Sequence, residues 1–261
     1  MAQNGAKEIL TEYFDGEKIA RKSDFVAREE RVAFYLNGEK LLSVMTLPQD
    51  QDAHLVGFLL SEGVVRDVSA IKSLAIAEDG LAVYAEAEID EAARRNLFRE
   101  KTLTSGCCVG VTGNVEEKIE CDFVAAGYTM RIARLLKAVE KFAEPTELFA
   151  LTGATHRALI LLEDGGEFGA EDIGRHSAID KAAGKARLAG ADLSRSALIS
   201  SGRLSMEMVM KCVMHRIPIA ASKAAVTMQG VKSAFAYGVT LVGFARGGKA
   251  NIYANSGRII F

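Results

Sequence analysis

At 261 residues, with 49% hydrophobic and 25% charged residues, the chain has a core-forming composition that excludes disorder and low complexity. Lys plus Arg number 32 against 34 for Asp plus Glu, so no net basic field gathers nucleic acid or an anionic bilayer, and any anion must be held locally. Cys107 and Cys108 are adjacent while Cys121 and Cys212 stand apart, which is no disulfide framework; with no signal-like start and no apolar run near the roughly 18 residues that span a bilayer, a soluble cytoplasmic protein with reduced thiols is expected.

Short alternating segments from Ile19 to Met45, among them Arg31 to Leu36, the Asn37-Gly38 turn and Leu41 to Met45, predict a hairpin. A helix is expected next, capped by Asp50 or Asp52, with Leu55, Val56, Leu59 and Leu60 on one face and Gly63 at its end. Ala70 to Ala77 and Leu81 to Ala87 form a second strand pair about Asp79-Gly80, and Asp90 to Phe98 a short helix. This is a small α+β unit, placed at residues 1–125, that ends near the run Thr104-Ser-Gly-Cys-Cys-Val-Gly-Val-Thr-Gly113. There Cys107 is the first candidate for a reacting atom. Gly106, Gly110 and Gly113 leave approach room and amide donors for a thiolate or an incoming anion. The alternative is a strand crossing an apolar core, since free cysteine is often buried; the flanking Thr, Ser and Gly favour a loop.

The second half, 126–261, opens with a helix from Met130 to Phe142 that Pro145 stops. Strands at 157–163 and 167–172, a helix at 175–189, a buried strand at 197–200, a helix bearing Met206, Val209, Met210 and Val213, a strand at 217–221, a helix near 226–237 and strands at 239–244 and 250–254 follow. This alternation implies a three-layer α/β sheet with ligands at the strand carboxyl ends.

Four clusters of glycine and polar residues fall at such ends: Thr152 to His156, Glu171 to His176, Ser200 to Ser205 and Phe244 to Lys249. Arg175 and Arg203, beside glycines at helix amino ends, resemble a phosphate site. Each also has a plain reading: Ser205 or Glu207 satisfying the amino end of the next helix, Asp172 capping another, His176 a structural histidine. Phe244-Ala-Arg-Gly-Gly-Lys249 suits a diphosphate, with Arg246 and Lys249 bracketing Gly247 and Gly248, or is a basic turn between antiparallel strands. The order of this half resembles the cytidine-deaminase architecture, yet the zinc ligands of that class are missing: Arg-His-Ser and Ser-Gly-Arg-Leu-Ser stand in their places. No zinc is expected, and Cys212 reads as packing within a helix.

Together with Gly57-Phe-Leu-Leu-Ser-Glu-Gly63, the Thr104 to Gly113 loop and Thr240 to Tyr253, these clusters resemble the FdhD family in order along nearly the whole chain. The resemblance implies a sulfurtransferase required for formate dehydrogenase activity. It would take persulfide sulfur from a cysteine desulfurase and pass it to the molybdenum or tungsten bis-guanine-dinucleotide cofactor before insertion into the dehydrogenase. It implies Cys107 as the persulfide carrier, the segment Phe244, Ala245, Arg246, Gly247, Gly248 and Lys249 as the cofactor-binding segment, Arg175, His176 and Arg203 as supports, a deaminase-like C-terminal domain without zinc, and a homodimer. His176 and Asp172 would bind or orient the cofactor. Two departures stand out. Many members carry Cys-x-x-Cys in the loop, whereas Gly110 is three after Cys107 here and the second thiol is the vicinal Cys108, which is expected to be dispensable. Ala154 replaces the usual glycine after Thr-Gly. A cofactor-binding chaperone that moves no sulfur and a zinc-dependent deaminase are the alternatives.

Overall fold

The computed structural model describes residues 5–89, 102–103, 109–110, 123–125 and 127–261. The expected helix at 90–98 and the thiols of Cys107, Cys108 and Cys121 lie outside them. The chain begins with a long two-stranded ribbon, β1 (Ala6–Phe14) and β2 (Ile19–Ala27), paired antiparallel from Ala6↔Ala27 to Phe14↔Ile19. The alternating segments read from Ile19 onward reach β2, but β1 carries no such signal, because neither face of the ribbon is buried.

The N-terminal unit continues as expected. β3 (Glu30–Leu36) and β4 (Glu39–Thr46) form the hairpin, with Asn37 and Gly38 both at positive φ, as a tight primed turn requires. With β5 (Ile71–Ile76) and β6 (Ala82–Ala87) they make a sheet of order β4-β3-β6-β5. Val32, Phe34, Val83 and Ala85 of this sheet pack on Leu55, Val56 and Leu59 of α1 (Gln51–Ser61). Asp50 occupies the position before α1 but does not cap it: its backbone is left-handed and its carboxylate instead pairs with Lys185 at 2.6 Å.

The backbones of β7 (Thr102–Leu103) and β8 (Val109–Gly110) pair antiparallel, bringing together the two sides of 104–108. After β9 (Met130–Arg131) come α2 (Ile132–Ala143) and an unexpected short helix, α3 (Glu147–Thr152). The Thr146 hydroxyl accepts from Phe149 N at 3.1 Å, and Gly153, at φ 64°, ends α3.

The larger sheet comprises β10 (His156–Leu162), β11 (Glu167–Asp172), β12 (Ser196–Ser200), β13 (Ile219–Ser222), β14 (Thr240–Arg246) and β15 (Lys249–Ala254). Their order is β11-β10-β12-β13-β14-β15, with β12, β13 and β14 parallel and the others antiparallel to their neighbours. Ile160, Leu198, Ala220 and Leu241 face α4 (Arg175–Leu188), α5 (Met206–His215) and α6 (Met228–Tyr237). Leu161, Ile199, Ala221 and Val242, one residue on in each strand, face α2. That period-two split makes the sheet a middle layer, apolar on both sides. A terminal strand, β16 (Ile259–Ile260), pairs parallel with β9.

One hydrophobic cluster is drawn from residues 32–89 and two from residues 124–259. The units meet where α1 crosses α4 in near backbone contact at Gly57 and Gly184. Among the described residues no helix is long and apolar enough to cross a membrane.

Candidate functional site at one edge of the large sheet

Because β10 runs against β11 and β12, its amino end shares an edge of the sheet with the carboxyl ends of β11, β12, β13 and β14. That edge collects all four clusters singled out in the sequence. His156 and Asp172 are opposite each other, Ser200 is beside Ser222, and Phe244 to Arg246 close β14. The amino ends of α4 and α5 open from the same edge.

The loops are tied together. Ser222 donates its hydroxyl proton to the carbonyl of Ser200 (2.8 Å) or Gly202 (2.7 Å) and accepts from Ala224 N (3.0 Å). Leu204 N donates to Ala225 O at 3.0 Å, and Phe244 N to Ala224 O at 3.0 Å. Ser201 Oγ accepts from Arg157 N at 3.0 Å and lies 3.1 Å from His156 Nδ1. Such bonds hold loops without help from a ligand, so side chains on them are preorganised. Ser205 sits at the start of α5, but its hydroxyl bonds the Glu207 carboxylate rather than a free N–H.

Arg175 and His176 come closest to an anion seat. A Cβ at Gly202 would fall 2.9 Å from Arg175 Cδ, so the glycine lets the arginine stem lie flat on the loop. Arg175 Nε and His176 Nε2 are buried and lack a hydrogen-bond partner among the described residues. Burial, then Lys211 and Arg175, drive the His176 imidazole down to about 3, so it is neutral near pH 7. Buried polar atoms without partners are rare and mark places a ligand can satisfy.

Asp172, expected to touch cofactor, is consumed by the fold. One carboxylate oxygen accepts from Gly174 N at 3.1 Å. The other takes Thr46 Oγ at 2.5 Å, Leu47 N at 3.2 Å and the Lys181 ammonium at 2.6 Å, with both charged side chains fully buried. Asp172 therefore fixes the start of α4 against the end of β4. Burial lowers the Lys181 pKa, and Asp172 opposes that shift.

Phe244 to Lys249 forms the β14–β15 hairpin, the plainer of its two readings. Gly247 and Gly248 have φ of 57° and 70°, and Arg246 pairs with Lys249, so the turn itself accounts for both glycines. A bulge precedes it: two residues, Phe244 and Ala245, stand where β15 has one. Ala245 is fully buried with the α2 layer, so its side chain takes no part in a site. Phe244 is held at φ 51°, unusual for an aromatic, with its ring exposed and the Arg246 guanidinium 5.9 Å from the ring centre. Arg203, Lys223, Arg246 and Lys249 are exposed along this edge. Lys223 was missed in the sequence because a single lysine after a strand carries no local pattern; only the pairing of β12 with β13 brings its loop against the one that bears Arg203.

Cys212 is fully buried in the α5 layer, and burial pushes its thiol up to about 12, which makes it packing. Met208 and Met210 also fill that core. Among the described residues no group of three or more His, Cys, Asp or Glu side chains is placed to hold a metal ion.

The fold and edge thus define a mixed α/β protein with a cationic rim at one edge of its large sheet. The FdhD/NarQ family model matches residues 27–260, and the chain belongs to that family. It is 53% identical over 253 residues to the sulfur carrier protein FdhD of Wolinella succinogenes, covering 97% of this chain and 88% of that one. With the protein of the same name from Methanothermobacter thermautotrophicus it shares 32% identity over 92% of this chain and 93% of the other. A crystal structure of a candidate formate dehydrogenase accessory protein from Desulfotalea psychrophila matches in fold, with a TM-score of 0.78 at 23% identity over 98% of this chain and 99% of that one.

Proposed function

We propose that this protein is a sulfur carrier that serves formate dehydrogenase, taking sulfur from a cysteine desulfurase and delivering it to a bis-guanine-dinucleotide cofactor of molybdenum or tungsten. The observation that carries the reading is the gathering of Arg175, Arg203, Lys223, Arg246 and Lys249 on one edge of a chain whose overall charge is −2. Its support is kinship to proteins named sulfur carriers. We assign the diphosphates to the arginines and the Gly247-Gly248 amides, and a guanine base to the exposed face of Phe244. His176 offers a neutral ring nitrogen to the same ligand. The layering of helices on both faces of the sheet agrees with a deaminase-like scaffold used here for binding.

Cys107 is the carrier in this reading. Its thiolate attacks the outer sulfur of the desulfurase persulfide; a new S–S bond forms, the old one breaks, and the desulfurase cysteine leaves as thiolate. The nucleotide ends of the cofactor, held at the edge, turn the later transfer into an intramolecular encounter. The protein works in the cytoplasm on this view. Incubation with a desulfurase and cysteine, followed by peptide mass spectrometry, should show one added sulfur on the Cys107 peptide. Cofactor binding without that adduct would point to a chaperone that moves no sulfur, and activation of formate dehydrogenase by Cys107→Ser would defeat the assignment.

A further inference from the structure

His156 belongs to the sheet edge by position but has no part in the steps above. It opens β10, half-buried, opposite Asp172. Residues 201 and 202 gather two cations round it. Ser201 holds the ring through Oγ, 3.1 Å from Nδ1, and binds Arg157 twice, accepting from Arg157 N and donating its own N–H to Arg157 O, each at 3.0 Å. Gly202 is the floor on which the Arg175 stem lies, and its carbonyl oxygen is 2.7 Å from Oγ of Ser222, the residue before Lys223. His156, Arg175 and Lys223, from three separate elements, are thus tethered to two consecutive residues. Asp172 is neutralised by Lys181. Glu171, the other acid at this end of β11, is on the opposite face and bonded to Thr146 and Thr155. Among the described residues neither Arg175 nor Lys223 forms an ion pair. His176, next to Arg175, is neutral near pH 7. Two uncompensated cations therefore flank a ring that can itself gain a charge.

We infer that His156 is an anion-binding residue of this edge, which donates its Nε2 proton to a phosphate held between Arg175 and Lys223 and takes up a second proton from solvent as that phosphate binds. This role deepens the proposed function and rests on nucleotide phosphates lying at this edge. Ser201 sets the tautomer. Its hydroxyl accepts from Arg157 N and has no acceptor besides the ring among the described residues, so it donates to Nδ1 and leaves the ring proton on Nε2. Nε2 has no partner among the described residues and is not one of the enclosed unpartnered atoms, so it is open to a ligand. In the protein alone burial, then Arg175, with Lys223 adding and Asp172 opposing, hold the imidazole below its ordinary range. A bound phosphate reverses the sign of that field. Once Nδ1 is protonated as well, the Ser201 hydroxyl turns and accepts from it with a second lone pair, so one side chain supports both states. Affinity should rise as pH falls through the raised pKa of the complex, and level off below the lowered pKa of the free protein.

Isothermal titration of the full chain with guanosine diphosphate, in two buffers of different ionisation enthalpy near pH 7, should show more proton uptake per ligand in the wild type than in His156→Gln. Glutamine keeps an amide donor but cannot gain a proton. The variant should therefore bind about as well as the wild type near pH 8.5 and about tenfold more weakly near pH 6, the equivalent of a rise of about one pKa unit on binding. Nitrogen NMR of the four histidine rings is a second, independent measurement. The ring whose signals are absent from His156→Gln should be the Nε2–H tautomer in the wild type near pH 8, and should become an imidazolium near pH 7 on addition of inorganic pyrophosphate. Equal proton uptake in the two proteins, a pH dependence that the variant shares, or the Nδ1–H tautomer would each overturn the role of His156 alone, with the nucleotide still bound at the edge. No binding of guanosine diphosphate by the wild type would overturn it together with the placing of the nucleotide, while the sulfur adduct on the Cys107 peptide tests carriage separately.

Discussion

A Cβ on Gly57 would lie 1.9 Å from the carbonyl oxygen of Asp180, and one on Gly184 the same 1.9 Å from that of Ala53. Helices α1 and α4 therefore cross with no side chain between them, and α1 is buried on nearly every side. Either Gly→Ala change forces the units apart, because backbone cannot turn aside as a side-chain tip does. The expected loss is at least about 3 kcal/mol for Gly57→Ala, read as a lower midpoint in chemical denaturation.

Removing the negative partner of Lys181 tests the buried ion pair. Asp172→Asn leaves an ammonium with no counter-charge from Asp172 and should cost about 3–5 kcal/mol. Asp172→Asn with Lys181→Met should recover much of that loss, since the remaining group is apolar. Denaturation curves of the three proteins compare the terms directly; equal stability of the single variant and wild type would deny the pair its role.

Acid should unfold this protein from an unusually high pH. Burial holds His54 well below its ordinary range, and holds His176 and His215 down to about 3. Their folded pKa values lie below the unfolded value of about 6.5, so the unfolded chain binds more protons below that pH and stability falls as pH drops from 6.5 toward 3. Each such histidine contributes a slope of about 1.4 kcal/mol per pH unit in that window. His215→Asn removes one of them. Its stability-versus-pH curve should be shallower by that amount, while the wild type and variant run parallel above pH 7.

Arg246 and Lys249 are exposed at a hairpin tip, so truncating them should leave the fold untouched and reveal only their effect on ligand. Arg246→Ala and Lys249→Ala should each weaken guanosine diphosphate binding by about ten- to hundredfold, in line with loss of one charge-assisted contact of about 1.5–3 kcal/mol. Isothermal titration supplies the number. Raised salt should narrow the difference.

Cys212 gives an internal control for thiol chemistry. Fully buried, with its thiol pushed up to about 12, it should resist alkylation in the native protein and react only on unfolding. Peptide mapping after a short pulse of iodoacetamide at pH 8 distinguishes the two states.

Much of the body was legible because its signals are local. Asn37-Gly38 fixes a hairpin, Pro145 stops a helix, and apolar runs with glycine breaks mark the strands of the large sheet. The ribbon was legible only from Ile19 onward; its first strand, Ala6–Phe14, was not, since a strand with no buried face need show no alternation. The role of Asp172 was hidden for a different reason: Thr46 and Leu47, which satisfy it, are about 125 residues away in sequence, and no local pattern announces such a contact. The Phe244 to Lys249 turn was found as a cluster, but its glycines serve the hairpin first. Ala245 was included only through its neighbours; the bulge at Phe244 and Ala245, which no local pattern announces, turns it into the α2 layer.

The crossing of α1 on α4 means that the halves of this chain are not interchangeable modules. Residues 126–261 expressed alone would present Gly184, the Asp180 carbonyl and a Lys181–Asp172 pair stripped of Thr46 and Leu47 to water, a face shaped for another backbone. Swapping N-terminal units between relatives would have to preserve that groove to the width of a hydrogen atom.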